Sequence, residues 1–173
     1  DMTLRQSAAL RESPLSFKEK LEIARTLDRL KVDVIELPPI SGSKADQLSN
    51  KTIAATVAAT LSAAVDVAAD AVDETWESVR GARQPRLNVL APLSPVQMEY
   101  TCHKKAPAML EAIRAQVQKC RFHCESVEFT AVDATRAEPL FLYSAVSAAL
   151  EAGAARITLC DTAGIMLPDD VGG

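Results

Sequence analysis

The strongest constraint in this chain is a repeated switch in hydrophobic period. Short β-branched segments alternate with longer segments of helical period, and that alternation leaves few architectures open. Phe17, Leu21, Ala24, Leu27 and Leu30 recur at helical spacing behind Ser16-Phe17-Lys18-Glu19. That tetrapeptide reads as a capping box, in which the serine oxygen accepts an orphan amide and the glutamate reaches back. Val32 to Glu36 follows as a short strand, stopped by Pro38-Pro39. The same unit returns later. Strands are predicted at 86–90, 126–130 and 156–160. Helices are predicted at 106–119, using Met109, Ile113 and Val117, and at 138–152, closed by Gly153, which tolerates the positive φ of a helix C-terminus. Strands joined through helices imply right-handed βαβ crossovers and a parallel sheet.

The middle of the chain is less plain. Ile53, Val57, Leu61, Val65, Ala68, Val72, Trp76 and Val79 keep helical spacing without a break. On periodicity alone, residues 52–79 read as one long alanine-rich helix with Trp76 on its core stripe.

Composition narrows the function classes. The 173 residues can bury a real core, and 48% apolar with 24% charged residues is ordinary for a globular domain. A net charge of −4 offers no basic excess to neutralise phosphates, which argues against a nucleic-acid surface. No apolar run approaches the roughly 20 residues that cross a bilayer, so no membrane partner is expected. Cys102, Cys120, Cys124 and Cys160 are irregularly spaced, a pattern expected of reduced thiols in a cytoplasmic protein. Cys102, His103, Cys120, His123 and Cys124 contain no Cys-x-x-Cys pair and sit by a helix end, which argues against zinc. The opening at Asp1 to Arg5, read as the inside of a strand, and the stop at Gly172-Gly173 suggest a piece of a longer protein.

Four ordered motifs follow predicted strands. Asp1-Met2-Thr3-Leu4-Arg5 leads, with Ser16 eleven residues past the arginine and then Glu19-Lys20-Leu21-Glu22-Ile23-Ala24 and Val32-Asp33-Val34-Ile35-Glu36. Ser94-Pro95-Val96-Gln97-Met98-Glu99-Tyr100, Glu128-Phe129-Thr130-Ala131-Val132-Asp133-Ala134-Thr135-Arg136 and Asp161-Thr162-Ala163-Gly164 follow in order. Together they resemble the 2-isopropylmalate synthase, homocitrate synthase and citramalate synthase family, across nearly the whole chain. The resemblance implies a (β/α)8 TIM-barrel-type α/β fold, here partial: a single domain over residues 1–173 holding strands one to six. A full barrel needs roughly 250 residues. It also implies a short strand at Thr60–Val65, splitting the long helical stripe.

Relatives of this kind condense acetyl-CoA with a 2-oxo acid on a divalent metal (Mg, Mn or Zn), and the resemblance implies a homodimer. By position, Arg5 is the cation that stabilises charge on the ketone oxygen, an electrostatic role. Thr162 is the hydroxyl that binds the oxo-acid carboxylate, Thr130 lines the pocket, and Glu36 matches a strand-two glutamate. Asn88 and Gln97 stand where histidines are common. Each has a plainer reading as well: Arg5 as a rim ion pair, Thr162 as a turn hydroxyl, Glu36 as a partner of Arg5. Asp133 and Arg136 read as a structural pair. Two departures weigh against a metal. Gln6 occupies the position of the family's acidic metal ligand, and a neutral amide is a poor ligand for a hard cation. Val132 replaces a strand-five acid. The reading is an acyltransferase, with an aldolase-type lyase or carboxyltransferase, or a metal-free pseudoenzyme, as rivals.

Overall fold

The structure is a computed structural model that describes residues 1–7, 15–40 and 43–171; Gly172 and Gly173 lie outside the described residues. Its elements run α1 (Thr3–Ser7), α2 (Phe17–Arg29), β1 (Val34–Leu37), α3 (Lys44–Thr56), β2 (Thr60–Asp66), α4 (Val72–Val79) and β3 (Pro85–Pro92). There follow α5 (Pro95–Gln97), a π-helical turn over Met98–Cys102, α6 (Ala106–His123), β4 (Val127–Val132), a 3-10 turn over Ala134–Arg136, α7 (Pro139–Glu151), β5 (Arg156–Leu159) and α8 (Pro168–Val171). All strand pairs are parallel, in the order β1-β2-β3-β4-β5.

That strictly sequential order decides the architecture. Right-handed crossovers between successive neighbours place every helix on the same side of the sheet, the winding of a barrel rather than of a doubly wound sheet. Alternation along the strands then divides the residues. Ile35, Leu37, Leu61, Val65, Leu87, Val89, Val127 and Phe129 are at most 1% exposed and join Ile53, Val79, Met109, Ile113, Val117 and Ala145 of the helices in one core. The alternate positions Glu36, Ser62, Arg86, Asn88, Glu128, Thr130 and Thr158 form a polar face on the other side.

Local chemistry explains the boundaries. The Ser16 capping box forms as expected: the Ser16 amide donates to Glu19 Oε2 at 2.8 Å and the Glu19 amide to Ser16 Oγ at 3.4 Å. The long stripe over residues 52–79 is broken, as the family resemblance implied. The Asp28 carboxylate accepts the Ala58 and Ala59 amides at 2.8 and 2.9 Å, and Val57 is already extended at ψ 150°. A side chain from α2 thus takes up the donors that would have continued α3, freeing Thr60 to start β2. Trp76 is half-buried against the core. Gly153 closes α7 at φ +108°, where a Cβ would stand 3.1 Å from Arg121 Cγ.

One expected element is different. The segment ending in Thr3-Leu4-Arg5 is a helical turn, not a strand. Only Asp1 behaves as a strand residue: its nitrogen donates to the Val34 carbonyl at 2.6 Å and its carbonyl accepts the Glu36 amide at 2.9 Å. The Asp1 carboxylate accepts the Thr3 amide at 2.8 Å, and this turn caps the helix that follows. The described sheet therefore has five strands, with Asp1 lying beside β1 where a sixth was expected.

Candidate functional site

The C-terminal ends of the strands gather the charged and polar residues. α1 sits beside β1 and points Arg5 at its polar face. Arg5 Nη1 donates to Glu36 Oε2 at 2.6 Å, and the two side chains are 15% and 20% exposed. Two strands further on, the Thr130 hydroxyl donates to Asn88 Oδ1 at 2.8 Å, both residues being 1% exposed. These two pairs unite four of the residues singled out from sequence into direct contacts on one face of the sheet.

The other candidates stand apart from those pairs. Thr162 is exposed, and its hydroxyl accepts the Asp133 amide at 2.9 Å. Gln97 is half-buried in the turn after β3, its amide donating to Ser94 Oγ at 3.3 Å. Gln6 is exposed on α1. Asp133 and Arg136 do form the expected structural pair, two-pronged at 2.8 and 2.6 Å. Asp133 has a left-handed backbone at φ 58°, and the guanidinium holds its carboxyl below the usual carboxylate range.

Sequence reasoning passed over a second polar layer. Arg86 Nη1 donates to Glu128 Oε2 at 3.2 Å, Arg86 Nε to Ser126 Oγ at 3.1 Å, and the Thr158 hydroxyl to Glu128 Oε1 at 2.6 Å. The signal was a charged residue at the second position of two strands whose alternate positions are all apolar. Cys160 was missed too. Just past β5, its thiol is pushed up by burial, with the Arg5 charge opposing and the Glu36 and Glu128 charges adding to the shift. It therefore sits within electrostatic reach of the Arg5–Glu36 pair. A cavity of about 650 Å³ opens at the opposite ends of the strands, between Asp28, Lys31, Gln84 and Arg156. Arg86 also lines it, whereas Arg5, Glu36, Asn88 and Thr130 do not.

The described residues do not fit a divalent metal. Among the described residues no group of three or more His, Cys, Asp or Glu side chains is placed to hold an ion. Gln6 is neutral and solvent-exposed, and Val132 offers no donor.

A five-stranded, sequentially wound sheet with polar groups at its C-terminal ends defines a barrel-type α/β domain, and the HMGL-like family model matches residues 1–173. The chain belongs to the HMGL-like family. It is 35% identical over 182 residues to 2-isopropylmalate synthase 2, chloroplastic, of Arabidopsis thaliana, covering 99% of this chain and 29% of that protein. It is also 35% identical over 175 residues to 2-isopropylmalate synthase of Shouchella clausii, covering 99% of this chain and 34% of that protein. The chain thus spans about a third of the length of the curated relatives it matches. The crystal structure of hydroxymethylglutaryl-CoA lyase from Pseudomonas aeruginosa superposes with TM-score 0.71 at 17% identity, over 95% of this chain and 56% of that one. That likeness confirms the fold.

Proposed function

We propose that the protein containing this chain is an acyltransferase of the 2-isopropylmalate synthase type, joining acetyl-CoA to a 2-oxo acid. The observation that carries the reading is the Arg5–Glu36 pair at the C-terminal end of the sheet. The similarity to named synthases over 99% of the chain supports it. A guanidinium held at 2.6 Å by a carboxylate is oriented before substrate arrives, so it can meet charge developing on a ketone oxygen without reorganising. In this reading Glu36 positions Arg5. Asn88 and Thr130 form a buried polar wall for the 2-oxo acid. Thr162 offers a hydroxyl to its carboxylate, and Gln97 borders the pocket.

A second reading, a metal-free pseudoenzyme, is favoured by Gln6 and Val132 and by the poor fit to a metal. Thiol release by the full-length protein, assayed with acetyl-CoA and a panel of 2-oxo acids, separates the two. Turnover that falls at least about a hundredfold in Arg5→Lys, which cannot reproduce the guanidinium geometry, supports the acyltransferase. No thiol release with any 2-oxo acid defeats it.

A further inference from the structure

The loop after β3 carries a feature the preceding reading does not use. Ser94 caps α5, the chain continues through the π-helical Met98–Cys102, and His103 ends it in the left-handed region at φ 50° and ψ 38°. The Lys104 amide then donates back to the Met98 carbonyl at 3.1 Å. This turn presents His103, Lys104 and Lys105 in succession around an open cavity of about 490 Å³, also bordered by Met98, Glu99 and Ala106. The loop leaves the C-terminal end of β3, so the cavity lies at the same end of the sheet as Arg5 and Asn88.

The electrostatics of this loop differ from the rest of that end. Arg5 and Arg136 are each matched to a carboxylate. Among the described residues, His103, Lys104 and Lys105 take part in none of the ion pairs observed. Glu99 supplies one opposing carboxylate, against two ammonium groups and an imidazole. The cavity wall thus has a positive excess that no ion pair among the described residues neutralises. Lysine ammonium groups bind phosphate as point charges. A cavity of this size also holds more than one inorganic phosphate.

We propose that His103, Lys104 and Lys105 form a phosphate-binding site that takes the phosphate groups of the acyl-CoA donor. The inference rests on the acyltransferase reading for the identity of the donor. The chemistry recognised is a phosphate polyanion, and free inorganic phosphate is the other source of it.

Calorimetry on the full-length protein distinguishes the sources with coenzyme A, phosphate-free pantetheine and inorganic phosphate. Coenzyme A is expected to bind and pantetheine to bind far more weakly. Lys104→Glu/Lys105→Glu weakens coenzyme A binding by at least about tenfold, and added salt weakens the wild type more than the variant. Glu99→Gln, which removes the opposing charge and leaves both lysines, tightens it. The two variants move affinity in opposite directions, so a folding defect cannot imitate the pattern. Unchanged affinity in the double variant, with thiol release intact, overturns this inference alone. Equal binding of pantetheine and coenzyme A overturns it as well. Inorganic phosphate bound without coenzyme A overturns the assignment to the thioester. A wild-type protein that neither binds coenzyme A nor releases thiol overturns the acyltransferase reading together with it.

Discussion

Replacing Arg86 with Met tests whether the polar face of the sheet is a dry, charge-matched layer. Arg86 and Glu128 are 9% and 11% exposed at their side chains, and the pair is closed at 3.2 Å. Removing the guanidinium leaves a carboxylate that has lost most of its hydration. Breaking one partner of such a buried pair costs about 3–5 kcal/mol. Glu128 keeps the Thr158 hydroxyl at 2.6 Å, so the lower end, about 3 kcal/mol, applies. With a urea slope of about 2 kcal/mol/M, the midpoint falls by about 1.5 M. Arg86→Met/Glu128→Met removes both charges and recovers most of the loss, because an apolar pair of similar volume replaces an ion pair at little net cost. The assay is urea unfolding of the chain followed by the fluorescence of Trp76, its single tryptophan. A single-variant shift below about 0.3 M refutes the reasoning, since the pair would then be solvated like an ordinary surface bridge.

Three further outcomes follow from named contacts. Asp28→Ala strands the Ala58 and Ala59 amides and costs about 1–2 kcal/mol by urea unfolding. Those amides, Ala59 first, hold the Asp28 carboxyl below its ordinary range, so its contribution is complete above about pH 4 and is lost as pH falls through the depressed folded value. Acid titration of the alanine variant loses that component of the slope. Gly153→Ala costs about 1–2 kcal/mol, from the left-handed backbone and the close Arg121 side chain, read as a lowered melting temperature. Cys120 is fully buried and its thiol is pushed up to about 12, so thiol titration at pH 8 leaves it unmodified until denaturant is added.

Most of the fold was legible because each strand–helix unit carries its own local signals. The Ser16 capping box, the Pro38-Pro39 stop and Gly153 act within a few residues of themselves, where sequence is most informative. The break in the 52–79 stripe was not legible from periodicity. Its cause is Asp28, some 30 residues upstream, and a contact of that range leaves no mark on local spacing. The opening turn failed for the opposite reason. Asp1 pairs like a strand residue, yet its own side chain caps α1 immediately afterwards, and a strand can end within two residues. In the site, the Arg5–Glu36 and Asp133–Arg136 contacts were foreseen as pairings. Arg86 with Glu128 was not, because two charges 42 residues apart become partners only once the register of β3 and β4 is known.

The charges at the C-terminal end of the sheet bear on the metal. Arg5 is matched by Glu36 and Arg136 by Asp133, while Asn88 and Thr130 satisfy one another as neutral groups. Each carboxylate in these contacts already faces a cation, so the pairs leave no surplus negative charge to offset the desolvation of a dication. An acid at position 6 would supply that surplus beside Arg5; Gln6 supplies only a dipole. At position 132 a carboxylate would do the same from the end of β4, and Val132 supplies nothing. These pairs therefore offer a dication at this end of the sheet no uncommitted anionic ligand. The same balance suits Arg5 to a different task. Held by one carboxylate at 2.6 Å and still 15% exposed, its guanidinium keeps donors free for an incoming carbonyl or carboxylate oxygen.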